Sequence, residues 1–294
     1  MLQPETADRC AVIMRVMPKQ FPLVETDCAQ RDAVVLRSPM LDAAGFVHAF
    51  STRMGGVSAA PFDALNLQSL QANARIASGE PRDDDDALRE NHARFTRAIG
   101  LARDARVVDA SQVHGCTVVA ARDGLRARPE ADALTSVRGG DAILMRVADC
   151  VPILIACPKT GAVAAVHAGW RGVVAGIVPA AIAALHAEGA DIRSCIAAVG
   201  PCIGAKHFEI GPEVANALAT ANLADCVIAP GVHGPKHHAD LVAAVALQLA
   251  RCGIARTNID ADPPCTYADA QRFHSHRRDG ARSGRLAAII APLA

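Results

Sequence analysis

From Val107 to Ala168 the chain is dominated by short β-type runs: RVVDA, CTVVA, AILMRVA, VPILIA and AVAAVHA. Such a block commits the centre of the fold to sheet. A further strand, Phe46 to Ser51, runs into the turn at Gly55-Gly56, and Ala33 to Leu36, CIAAVG and the closing RLAAIIAPL read the same way. Helical patterns surround the block. Leu88, Phe95 and Ile99 predict a helix ending near Gly100. VVAGIVPAAIAALHAEG predicts one buried helix from Val173 to His186, closed by Gly189. Pro212 opens a helix over EVANALATA, and Asp240 caps LVAAVALQLARC with Gly253 past its end. The order is too irregular for a doubly wound sheet, which points to one α/β domain of mixed sheets with helices outside. Residues 1–40 read as a leader before a domain over 41–294.

Composition supports a globular chain. The apolar fraction is 51% but only 3% is aromatic, so the core is built from Ala, Val, Leu and Ile. Lys+Arg and Asp+Glu are both 30, which gives no long-range attraction to nucleic acid or anionic membranes. The first twenty residues are interrupted by Arg15 and Lys19 and are not read as a signal peptide. No stretch approaches the roughly 18 apolar residues of a membrane span. The ten cysteines are scattered without a CxxC, as expected of reduced thiols in a cytoplasmic protein. EPRDDDD reads as a solvated, peripheral loop that also suits a helix N-terminus.

Four segments carry polar residues where strands should end: STRMGG, SQVHG, VADC and AVHAGWRG. Such ends are where a rigid scaffold presents binding groups. His114, Cys150 and His167 supply two imidazoles and a thiol, a ligand set that suits a catalytic zinc with an open fourth position. The same atoms also allow a cysteine nucleophile at Cys150 with His167 as base and Asp149 nearby. Spacing leaves both readings open, together with the bland one of a core cysteine and two backbone-bonded histidines. Arg53, before Gly55-Gly56, is either a surface turn arginine or an anion ligand where backbone N–H groups can approach closely. Arg171, beside the only tryptophan, either binds an anion or packs on the indole. The segment His274 to Arg285, rich in arginine and histidine, reads as a solvated loop, and His237-His238 as surface.

Taken together the segments resemble a known family. STRMGGVS, LNL, QVHG, ADAL, ADCVPIL, VHAGWRG, GPCIG, FEIGPEV, CTY, SHRRDG and SGR follow in this order over roughly residues 45 to 293. This is similar to the YfiH/YlmD family, formerly labelled multicopper polyphenol oxidase or laccase domain proteins. The resemblance implies a single compact α/β (α+β) domain of layered mixed sheets flanked by helices. It also implies a zinc site of His114, Cys150 and His167, with copper uptake possible in vitro. The implied activities are phosphorolysis of adenosine, inosine, guanosine or methylthioadenosine to base and ribose 1-phosphate, and deamination of adenosine. On that reading Asp149 shuttles protons, Arg53 and Arg278 hold phosphate, Arg171 is a further anion candidate, and Gln112 bonds substrate or supports His114. The expected partners are a nucleoside and phosphate, with neither nucleic acid nor membrane, and the expected state is a monomer. Ala205, Lys206, His207 and His274 depart from the family pattern and bear on base preference.

Two other functions compete. A peptidoglycan-precursor editing hydrolase would use the same Cys150 and His167. A copper polyphenol oxidase would need clustered histidines, whereas the eleven here are scattered singly.

Overall fold

The computed structural model describes residues 23–26, 33–74, 79–102, 104–122 and 128–294. The reading of the first twenty residues lies outside these. Period-two alternation builds the core. In β7 (Ala142–Val147), Ile143, Met145 and Val147 face one apolar cluster while Ala142 and Leu144 face another. In β8 (Val151–Ala156), Leu154 and Ala156 join the first of these clusters, whereas Val151, Ile153 and Ile155 enter a third. β9 (Val163–Ala168) divides in the same way, with Val163 and Ala165 on one face and Ala164, Val166 and Ala168 on the other. Every strand in this block is therefore buried on both faces, as two packed sheets between outer helices require.

The first sheet has the order β1 (Val24–Thr26), β2 (Val35–Arg37), β3 (His48–Ser51), β15 (Leu286–Ile290), β7, β4 (Val107–Asp109). The second has the order β14 (Ile259–Asp260), β10 (Ile196–Val199), β8, β9, β6 (Ala133–Ser136), β5 (Val118–Ala120). Both are mixed: β4–β7, β5–β6 and β10–β14 are parallel, and the other pairs are antiparallel. β11 (Glu209–Ile210), β13 (His237–Ala239) and β12 (Val227–Ile228) make a small third sheet. β1 and β2 fall within the segment read as leader, yet they extend the first sheet, and Ala33 and Val35 are fully buried.

The helix Asp85–Ala98 covers the outer face of the first sheet through Phe95 and the following Ile99. Its N-cap is Asp84, whose carboxylate accepts from the N–H groups of Asp86 and Ala87. The acidic run is only partly peripheral. Asp83 is buried and accepts from Ser58 Oγ at 2.6 Å and Asn66 Nδ2 at 2.8 Å.

On the other side, Ile177–Ala187 and Leu241–Arg251 pack on the second sheet. The single helix expected from Val173 to His186 is two helices, Trp170–Ala175 and Ile177–Ala187. Pro179 has no N–H to give the carbonyl of Ala175, and Gly176 takes the left-handed conformation at φ 84° to turn the chain between them. His238, expected at the surface, is buried and bonds the Lys236 carbonyl through Nδ1. None of the helices formed by the described residues is long and apolar enough to cross a membrane.

Candidate metal centre

The β8–β9 hairpin cancels the sequence distance between Cys150 and His167. Pro152 pairs with His167 and Val151 with Ala168, so Cys150, just before β8, meets the end of β9. His114 arrives from the loop between β4 and β5. The ligand atoms of these three side chains lie within 4.8 Å of one another. The two imidazoles meet edge to face with centroids 4.8 Å apart.

Asp132, directly before β6, holds the trio together. Its Oδ1 bonds His167 Nδ1 at 2.8 Å and accepts from the His114 N–H at 2.9 Å. Its Oδ2 accepts from the Gly115 N–H at 2.7 Å, and its carbonyl accepts the His167 N–H. Burial works against the Asp132 charge, but the His167 bond and the backbone donors hold the carboxyl below its ordinary value. With Nδ1 occupied, His167 presents Nε2, the carboxylate–histidine arrangement common behind metal ligands.

Two left-handed residues sit beside the ligands or among them: His114 at φ 60° and Asp149 at φ 86°. For residues other than glycine this conformation costs about 1–3 kcal/mol, and such strain gathers at functional sites. Gly169 is required by contact. A Cβ there would stand 3.0 Å from Cys150 Sγ and 3.0 Å from the His114 ring. This accounts for the glycine of VHAGW. Trp170 packs against the core below, and the Arg171 guanidinium lies 4.4 Å from its ring centroid.

The electrostatics are those of a thiolate beside an imidazolium. Burial pushes the Cys150 thiol up, but the charge of His167 and hydrogen bonds from both histidines bring it down to about 6. Burial pulls His167 down, and the Cys150 charge with the Asp132 bond raises it to about 9. An electron-rich sulfur and two imidazoles are the donor set zinc takes, and three protein ligands leave a fourth position. The residues present fit that metal.

The trio opens on a cavity of about 410 Å³ whose wall includes Gln68, Gln112, Arg128, Arg146, His276 and Arg285. Arg146 and Arg128 both pair with Asp109. Gln112 lines the cavity, but its amide is committed to the backbone of Arg146, donating to the carbonyl at 2.6 Å and accepting from the N–H at 2.9 Å.

The other residues expected at the site are placed elsewhere. The Asp149 carboxylate accepts from Thr266 Oγ1 at 2.6 Å, Ser275 Oγ at 3.0 Å and the Arg277 N–H at 2.6 Å. It pins the 275–277 turn, with its oxygens committed to these three donors. Arg53 and Arg278 line a different cavity of about 380 Å³ with Asp63 and Asp279. Arg171 stays on Trp170. Of the alternate histidines, His274 is buried against the Leu65 carbonyl while His276 reaches the cavity. Sequence reading gave no role to Asp132, Arg146 or Arg285. Asp132 stands in ADAL and Arg285 in SGR, but 35 residues separate Asp132 from His167, and only sheet pairing joins them.

The multi-copper polyphenol oxidoreductase laccase family matches residues 47–292. A purine nucleoside phosphorylase of Pseudomonas aeruginosa is 36% identical over 242 residues, 82% of this chain and 90% of that protein. One from Mycobacterium tuberculosis strain H37Rv is 37% identical over 245 residues, 82% of this chain and 89% of its own. YlmD from Geobacillus stearothermophilus superposes with a TM-score of 0.78 at 28% identity, over 93% of this chain and 100% of YlmD. YfiH from Bacillus licheniformis, at 22% identity, shares the fold with a TM-score of 0.77 over 90% of this chain and 98% of its own. Matched across most of its length in both sequence and fold, the chain belongs to the family described as multi-copper polyphenol oxidoreductase laccase, the YfiH/YlmD family.

Proposed function

We propose that this protein is a zinc-dependent purine nucleoside phosphorylase that also deaminates adenosine. The observation that carries this reading is the trio of His114, Cys150 and His167 facing a cavity of small-molecule size, in a chain whose relatives bear the phosphorylase name. His114, Cys150 and His167 would hold a zinc ion, which would supply Lewis-acid chemistry there. Asp132 keeps His167 in one tautomer and orientation. In phosphorolysis a phosphate oxygen bonds the ribose C1′ as the C1′–N9 bond breaks. The electron pair passes to the purine, which takes a proton. In deamination water adds at C6 of adenosine and ammonia leaves. The roles expected of Asp149, Arg53, Arg171 and Arg278 are not carried forward, because their hydrogen-bonding groups are engaged elsewhere or lie outside the cavity.

Multi-copper oxidation finds no support in the donor set. Among the described residues one His/Cys cluster fits a metal, and His48, His92 and His274 each bond a backbone carbonyl. Copper bound in vitro reflects general affinity. A second reading has one observation in its favour: without metal, Cys150, His167 and Asp132 form a poised nucleophile, base and orienting acid. A precursor-editing hydrolase of that kind would survive chelation and His114→Ala.

The test is a product assay. Zinc-loaded protein is incubated with adenosine, with and without phosphate, beside His114→Ala and Cys150→Ala. Phosphate-dependent adenine, or inosine, lost in both variants is the expected result. No turnover by folded, zinc-loaded wild type overturns the reading.

A further inference from the structure

The cavity at the trio adjoins a second one, of about 290 Å³, and Gln68, His276 and Arg285 stand in the walls of both. Arg285 differs from its neighbours there. Arg128 and Arg146 share one carboxylate partner, Asp109. Arg285 feels the charges of Cys150 and Asp149, but among the described residues no carboxylate forms an ion pair or hydrogen bond with it. Its Nη1 donates only to the carbonyls of its own turn, Ser283 at 2.8 Å and Gly284 at 3.1 Å. That leaves Nε and Nη2 without a protein acceptor among the described residues.

The position of this arginine is built. Its N–H donates to Asn66 Oδ1 at 2.8 Å, and its carbonyl accepts the Leu67 N–H at 2.9 Å. Asn66 is held in turn by the buried Asp83. A partly buried, fixed guanidinium with a free fork calls for a planar pair of anionic oxygens. His276 adds a complementary group. Its Nδ1 faces the Gly280 carbonyl at 3.0 Å. A carbonyl only accepts, so Nδ1 carries a proton, and Nε2 is the ring atom left for a ligand.

We propose that Arg285 and His276 form a tetrahedral-oxyanion subsite, and that its ligand is inorganic phosphate, the second substrate of phosphorolysis. The guanidinium fork takes two phosphate oxygens while His276 Nε2 hydrogen-bonds a third. The assignment rests on the nucleoside reading, and it moves the phosphate site from Arg53 to the wall between two compartments, one for each substrate.

A phosphate monoester carries the same chemistry, so the experiment has two arms. Binding of inorganic phosphate and of adenosine 5′-monophosphate to zinc-loaded protein is measured by calorimetry in phosphate-free buffer, for wild type, Arg285→Gln and Arg285→Lys. Zinc content and circular dichroism are recorded alongside. Arg285→Gln is expected to weaken phosphate binding, and to raise the phosphate KM, by about tenfold or more, as a lost charged fork does. Zinc content should be unchanged, and Arg285→Lys should fall between the two. Equal phosphate affinity in wild type and Arg285→Gln overturns the proposal, as does no phosphate binding by wild type. Arg285-dependent binding of the monophosphate alone assigns the subsite to a nucleotide and also overturns it. Phosphate bound through Arg285 by a protein that cleaves no nucleoside refutes the proposed function but leaves the oxyanion subsite standing.

Discussion

The protein has two polar cavities that a sequence reader would equip with the same chemistry, and they differ in whether that chemistry is already engaged. At the Arg53 cavity two of the cations, Arg53 and Arg278, are engaged by the protein itself. Arg53 donates to the carbonyls of Asp63 at 2.5 Å and Ala270 at 3.1 Å. Arg278 donates to those of Thr266, Tyr267 and Phe273 and pairs with Asp279. At the trio the reverse holds. The supporting groups, Asp132 and Gln112, are engaged by the protein, while Cys150, His167 and Arg285 line the cavity, the fork of Arg285 without a protein acceptor among the described residues. A functional site is recognised by unspent hydrogen-bonding and ligating capacity on a saturated support.

The strongest way to break this comparison is at the trio. His167→Ala or Cys150→Ala should abolish both metal retention and turnover, measured as metal per chain and product formed. Retained activity would make the donors ordinary core residues. Asp132→Asn should lower zinc affinity about 10- to 100-fold, as loss of an outer-shell partner does, while circular dichroism stays native. Chelator competition measures it. Gly169→Ala inserts a methyl at 3.0 Å from both Cys150 and His114 and should cost roughly tenfold in zinc affinity.

The Arg53 cavity should respond in a different coin. Arg53→Gln should leave the phosphate KM unaltered but lower unfolding stability by about 1–3 kcal/mol, because two carbonyls lose a charged donor. A raised phosphate KM would restore Arg53 as the cradle. The smallest effect concerns pH. Burial, aided by Arg53, holds His274 down at about 3. Unfolded, it titrates near 6.5, so below that pH the unfolded chain binds the extra proton. The stability this histidine contributes is whole above pH 6.5 and is lost as pH falls toward 3, on the order of 2 kcal/mol by pH 5. His274→Phe should flatten that part of a urea-melt pH series. An unchanged slope would mean the ring is not buried neutral.

Much of the architecture was legible because the apolar runs alternate and the caps are local. Asp240, Pro212 and the closing strand Leu286–Ile290 were all readable within a few residues. What was not legible depends on partners far along the chain. Nothing near Gly176 announces a helix break except Pro179. β6 is too short to stand out until it pairs with β9. The trio's residue types were readable as metal ligands, but their meeting depends on the β8–β9 register and on Asp132. Arg53 and Arg285 look alike as letters, and only the acceptors around them tell one from the other.

The most direct test of the account is metal stoichiometry and coordination. Purified protein is analysed by elemental mass spectrometry and zinc-edge X-ray absorption, with Cys150→Ala as the control. The account predicts one zinc per chain with a single sulfur near 2.3 Å and nitrogens near 2.0 Å, absent from the variant. Several copper ions per chain, or zinc lacking a sulfur ligand, would contradict it.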